Sequence, residues 1–170
     1  MKTLTYEIFE QLEWKPPDRI YLPVSAGTLL LGVICGLEDL VNSGVIEKFP
    51  TIVACQTRQV SPLYHKLKNL PYTPPEKIAS IADALVSTNP PLLDLMVEKM
   101  RRVGGDAEVV DEDEIYAAFV ELARSGIFVE PSSAVAYATY KKQVDAGKAS
   151  KDEVNVIVLT GSGLKSMLKP

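Results

Sequence analysis

Two short runs of small and hydroxyl-bearing residues could do chemistry. Ser25-Ala26-Gly27-Thr28 stands between a strand-like segment and a leucine-rich helical one, and Thr160-Gly161-Ser162-Gly163 closes the apolar run Val154-Asn155-Val156-Ile157-Val158-Leu159. A strand, a tight turn of small residues and a helix aim free backbone N–H groups and the positive end of a helix dipole at one point, which suits an anion such as a phosphate. The second run offers the hydroxyls of Thr160 and Ser162, able to donate to a ring nitrogen or accept from an N–H, and two glycines that leave room for something to approach the backbone. Neither run has the Gly-x-x-x-x-Gly-Lys pattern of a P-loop or the spacing of a dinucleotide fingerprint. Ser162-Gly163-Leu164-Lys165 has the form Ser-x-x-Lys, but the companion motifs of serine acylases are absent and this serine follows a strand where that chemistry needs a helix start.

The elements that must position these runs follow from periodicity. Leu4, Ile8, Phe9 and Leu12 share one helical face, and that helix ends before Pro16-Pro17. Asp18 to Val24 reads as a short strand with Pro23 near its exit, where a ladder donor is dispensable. After the first small-residue turn, the apolar stretch to about Asn42 reads as a largely buried helix. Thr51 to Cys55 is a second strand, Glu76 to Leu85 and Pro90 to Val103 have helical spacing, and Ala107 to Val110 is a third strand. The stripe Leu92, Leu93, Met96, Met100 and Val103 reads as core contact. Asp111 with Glu114 three positions on has the form of a capping box, a better account of this acidic cluster than a metal site. Pro131-Ser132-Ser133 starts another helix, and Val154 to Leu159, β-rich and mostly apolar, reads as a central strand.

Strands with apolar rather than alternating sequences, separated by helices, predict an α/β fold of three layers, a mainly parallel sheet flanked by helices. In such a sheet, ligands bind outside the carboxyl ends of the strands, where both small-residue runs lie, so together they describe one pocket. The 170 residues fit a single domain, 1–170, with no linker or repeat.

Composition narrows the function. Hydrophobic residues make up 46% and charged residues 24%, the balance of an ordinary globular protein, and no apolar run is long enough to span a bilayer. A net charge of −4 supplies no basic surplus to displace counterions from phosphates, so no nucleic-acid or membrane partner is expected. Cys35 and Cys55 lie in apolar surroundings and read as reduced thiols of a cytoplasmic protein. With His65 the only histidine, no spacing forms a metal site.

Four segments carry a resemblance that periodicity does not supply. Lys2-Thr3 with Tyr6-Glu7-Ile8, then Pro23 to Leu29, then Gly126-Ile127-Phe128-Val129-Glu130-Pro131-Ser132-Ser133-Ala134, and finally Leu159-Thr160-Gly161-Ser162-Gly163-Leu164-Lys165 together look like threonine synthase. The resemblance runs in order over essentially the whole chain, and it is to the C-terminal half alone of such an enzyme. Threonine synthases are fold type II pyridoxal-phosphate enzymes, so it implies the large-domain part of that tryptophan synthase β-like fold. It further implies that Ser25, Ala26, Gly27 and Thr28 hold the cofactor phosphate and that Thr160 hydrogen-bonds the pyridine nitrogen, with Glu130 in the family's Glu-Pro segment nearby.

Two departures qualify that implication. The family loop carries more glycines, and Ser25 and Ala26 replace some of them. The Schiff-base lysine belongs to the family's N-terminal half, and no lysine of this chain stands in its setting, so no catalytic residue is assigned and the chain alone is expected to be inactive. The expected partners are an N-terminal half, a full-length homologue or further copies of the chain. A serine or threonine dehydratase-like half, or a non-catalytic module that binds pyridoxal phosphate or a phosphorylated metabolite, is the alternative.

Overall fold

The computed structural model describes residues 1–166. Four strands, β1 (Arg19–Pro23), β2 (Thr51–Thr57), β3 (Asp106–Val110) and β4 (Asn155–Ile157), form one sheet in the order β3-β2-β1-β4, and every neighbouring pair is parallel. Register is set by Ile20 opposite both Ile52 and Val156, and by Ala54 opposite Ala107. The helices are α1 (Thr3–Gln11), α2 (Thr28–Asn42), α3 (Pro62–Leu67), α4 (Leu93–Arg102), α5 (Glu112–Arg124) and α6 (Pro131–Asp145).

Alternation along the strands builds two cores. Ile20, Leu22, Ile52, Ala54 and Ala107 face one side, where α2 supplies Leu30, Val33, Ile34 and Leu37 and α4 supplies Met96 and Met100. Tyr21, Val53, Cys55 and Val110 face the other, against Ile115, Ala118 and Leu122 of α5 and Ala134, Val135 and Ala138 of α6. The result is the three-layer arrangement that the strand sequences predict, with helices on both faces of a parallel sheet. Both cysteines are free, and burial pushes the Cys55 thiol up to about 12, which keeps it protonated and inert. Among the described residues, no helix is long and apolar enough to cross a membrane.

The structure departs from the sequence reading at three places. β4 lies at the sheet edge rather than at its centre: it pairs with β1 along three residues, and Val154 just before it is 49% exposed. Its apolar character comes instead from side chains on both faces, with Val156 and Val158 reaching one core and Ile157 and Leu159 the other. Residues 76–85 form no helix. Backbone N–H groups there go to side chains of distant segments, Ala79 to Gln59 Oε1 (2.9 Å), Ile81 to Glu112 Oε2 (2.9 Å) and Ala84 to Ser132 Oγ (3.0 Å), so tertiary acceptors replace the helical ladder. Helix α4 begins at Leu93, two residues past Pro91, and Leu92 turns out to solvent while Met96, Met100 and Val103 are buried.

The capping box at α5 is present in both halves: the Asp111 side chain takes the Glu114 N–H, and the Asp111 N–H donates to Glu114 Oε2 at 2.7 Å. The Arg58 guanidinium, hydrogen-bonded to Asp111, holds its carboxyl below the usual carboxylate range. The folded state therefore favours the charged form, and this stabilisation is complete above the ordinary aspartate value and vanishes as pH falls through the lowered one. Asp111→Ala should cost about 1 kcal/mol at neutral pH. In urea melts, the gap between the two proteins should close as pH is taken below about 4.

Candidate functional site

The carboxyl ends of β1 and β4 open into one cavity of about 590 Å³. Its wall includes Ser25, Ala26, Gly27 and Thr28 after β1 and Val158, Leu159 and Thr160 after β4, so the two small-residue runs do share a site. Glu130 and Ser132 at the start of α6, Ala84 and Leu85 of the irregular segment, Leu4 and Glu7 of α1, and Met1 just before it add to the lining. Volumes of this order hold small-molecule ligands, and a mostly apolar wall with a few convergent polar groups is the common form of such sites.

Gly27 makes the turn after β1. It is the N-cap of α2 with φ +95°, a left-handed conformation that a side chain disfavours, and a Cβ there would lie 2.2 Å from Sδ of the fully buried Met96. Met96 thus forms the floor beneath the turn, and the sequence stripe that placed it in the core also places it under the site. The first N–H groups of α2 have no intrahelical partner and lie at the positive end of the helix dipole. Ser25 is half-buried and its Oγ accepts the Ser87 N–H at 3.4 Å, while Ser132 Oγ holds Ala84. These two serines lay the 84–87 segment against the cavity mouth, a role that the sequence does not disclose because it depends on a loop without periodicity.

The turn after β4 is built differently from the sequence expectation. Its glycines are not openings for a ligand. A Cβ on Gly161 would meet the Glu130 carboxylate at 2.1 Å, and one on Gly163 would meet the Phe128 ring at 2.8 Å, so the chain packs against itself there. Glu130 N–H donates to the Gly161 carbonyl at 3.0 Å, Gly163 N–H to the Phe128 carbonyl at 3.1 Å, and Val129 bridges Ser162. Glu130, 5% exposed, also pairs with Lys165 Nζ at 2.8 Å, and its side chain makes no cap bond to α6. Its carboxylate therefore fastens the 160–165 turn to the start of α6. Ser133 does the same from inside: fully buried, it accepts the N–H groups of Thr160 (3.1 Å) and Gly161 (2.7 Å). In the sequence Ser133 reads as a helix-starting residue, because the two N–H groups its hydroxyl accepts lie 27 and 28 residues further on and leave no local signal.

Thr160 is exposed at this rim, its hydroxyl 2.9 Å from Ser133 Oγ. The cavity thus offers helix N–H groups and small residues at one end and an oriented hydroxyl at the other, with aliphatic side chains between. Such a wall can hold an anionic group and a flat polar ring at once.

A family model described as pyridoxal-phosphate dependent enzyme matches residues 1–161. The threonine synthase of Methanocaldococcus jannaschii is 34% identical over 170 residues, covering 96% of this chain and 41% of that protein. That of Methanosarcina acetivorans is 35% identical over 167 residues, with the same coverages of 96% and 41%. The chain thus spans about two fifths of the length of these relatives. Among solved structures, an L-serine ammonia-lyase from Rhizomucor miehei superposes with a TM-score of 0.77 at 23% identity, over 95% of this chain and 50% of that one. A serine racemase from Dictyostelium discoideum does so with a TM-score of 0.71 at 27% identity, over 95% and 48%.

Gly27→Ala should lose about 1–2 kcal/mol of stability from the left-handed backbone alone, before the clash with Met96 is counted. Adding Met96→Ala should relieve the clash and leave the backbone cost, so in urea melts Gly27→Ala should lose less stability in the Met96→Ala background than in the wild-type one.

Proposed function

The chain belongs to the pyridoxal-phosphate dependent enzyme family, and on that premise we propose that residues 1–170 are the C-terminal, large-domain part of a threonine-synthase-like protein. The reaction we assign to the complete protein converts O-phosphohomoserine and water into threonine and phosphate. The observation that carries this reading is the single cavity joining the Ser25–Thr28 turn to Thr160. The relatives named threonine synthase, which match 96% of the chain, support the choice of reaction.

The residues present fit pyridoxal phosphate. Gly27 turns the chain at φ +95° over the buried Met96, and the N-terminus of the 15-residue α2 that follows supplies N–H donors for a phosphate. Ser25, Ala26, Gly27 and Thr28 would hold the phosphate, and Thr160 would hydrogen-bond the ring nitrogen. When bound, pyridoxal phosphate supplies an electron sink for charge developing at an amino-acid α-carbon. This chain's own residues bind and orient: the turn fixes the phosphate, Leu85 and Leu159 shield the wall from water, and Glu130 and Ser133 hold Thr160 in place. The reactive lysine comes from a complementary segment, and the half-exposed, doubly apolar β4 is the edge onto which that segment adds a strand. A cytoplasmic setting suits the two free thiols.

Calorimetry on the purified chain tests the binding half of this reading: pyridoxal phosphate should bind, and inorganic phosphate should compete with it. Borohydride treatment followed by mass spectrometry should leave every lysine unmodified. Absence of any heat with pyridoxal phosphate would sink the assignment, and a trapped lysine would sink the need for a complementary segment. Light scattering should show that a polypeptide carrying the rest of the fold joins the chain, whereas a stable homodimer that excludes it would give the β4 edge to a second copy.

A further inference from the structure

Two Ser133 acceptor positions decide which way a proton points at the rim of the cavity. Ser133 Oγ receives the Gly161 N–H at 2.7 Å and the Thr160 N–H at 3.1 Å, and it lies 2.9 Å from Thr160 Oγ1 and 3.4 Å from the Gly161 carbonyl. A hydroxyl has two lone pairs and one proton. The two N–H donors fill both lone pairs, so the Ser133 proton has to leave toward one of the two remaining oxygens. Thr160 Oγ1 is the nearer, and the Gly161 carbonyl already accepts the Glu130 N–H at 3.0 Å. With the Ser133 proton donated to Thr160 Oγ1, Thr160 cannot return its own proton to Ser133. That proton turns outward, from a residue that lines the cavity.

We propose that Ser133 is a positioning residue that locks the Thr160 hydroxyl as a hydrogen-bond donor into the cavity. The group seated against Thr160 is then an acceptor, and an aromatic nitrogen placed there is held in its unprotonated form. This rests on the cofactor reading above, and it adds to it a fixed polarity that Thr160 alone does not have: a free threonine hydroxyl donates or accepts as its partner requires. Ser133, itself 0% exposed, imposes the direction from beneath without touching the ligand.

Stability does not decide the matter, because Ser133→Ala also strands two backbone N–H groups and weakens the turn whatever its role. The ring nitrogen does. The ligand 4′-deoxypyridoxine 5′-phosphate has the phosphate and the pyridine nitrogen but no aldehyde, so it binds independently of any lysine. Its near-ultraviolet band shifts when the ring nitrogen takes a proton. Titrated on the full chain, the bound ligand should show a ring pKa about one unit below that of the free ligand, the shift that one net hydrogen bond supports. Ser133→Ala should return that value most of the way to the free one. Ser133→Cys, which keeps the shape with a weaker donor, should fall between, and it carries the comparison if the alanine variant does not fold. A ring pKa unchanged or raised on binding, or a depression that survives both substitutions, overturns the role of Ser133 while leaving the cofactor assignment standing. Failure of the ligand to bind at all overturns both.

Discussion

Parallel strands cannot be joined by a tight turn, and this constraint organises the molecule. Each return from the carboxyl end of one strand to the amino end of the next must cross a face of the sheet, and here the crossings are made by helices on both sides. The strand exits consequently gather on one rim. Residues 25–28 and 158–160, separated by most of the sequence, become neighbours because β1 and β4 are adjacent and point the same way. The cavity is a consequence of strand order before it is a consequence of any side chain.

The rim is then rigidified by polar groups that have lost their water. Glu130 and Ser133 sit at the start of α6 and reach across to the 160–165 turn, one with a backbone N–H and a carboxylate, the other with a buried hydroxyl. Ser25 and Ser132 tie down the segment with no regular structure of its own. Buried polar groups are costly unless paired, so each of these contacts excludes alternative placements of its loop. The apolar layers set where the elements go; these hydroxyls and the carboxylate set where the site residues go within them.

The layers were legible in the residues because burial imposes periodicity. The stripe with Met96 and Met100, the apolar, non-alternating sequences of β1 and β2, and the Asp111–Glu114 box are local patterns with one structural answer. Both small-residue runs were also legible, since a strand followed by glycine and hydroxyl residues is a local signal. Two misreadings have a common origin. Gly161 and Gly163 looked like an opening for a ligand, but the atoms that need their missing side chains belong to Glu130 and Phe128. Residues 76–85 had helical spacing, yet their N–H groups are taken by Gln59, Glu112 and Ser132. In both cases the partner is remote in sequence, and no window of residues contains it.

The three-residue pairing of β4 also sets how the molecule comes apart. An edge strand held by so short a ladder is among the first elements to open in local fluctuations, at a free energy below that of global unfolding. Thr160 rides on its exit. Fraying of β4 would remove one wall of the cavity while the β1–β2–β3 layers and the Ser25–Thr28 turn stay folded. Hydrogen-exchange protection of the β4 amides and occupancy of the cavity are then two readings of one equilibrium, and a ligand that spans both walls acts as the missing stitch at that edge.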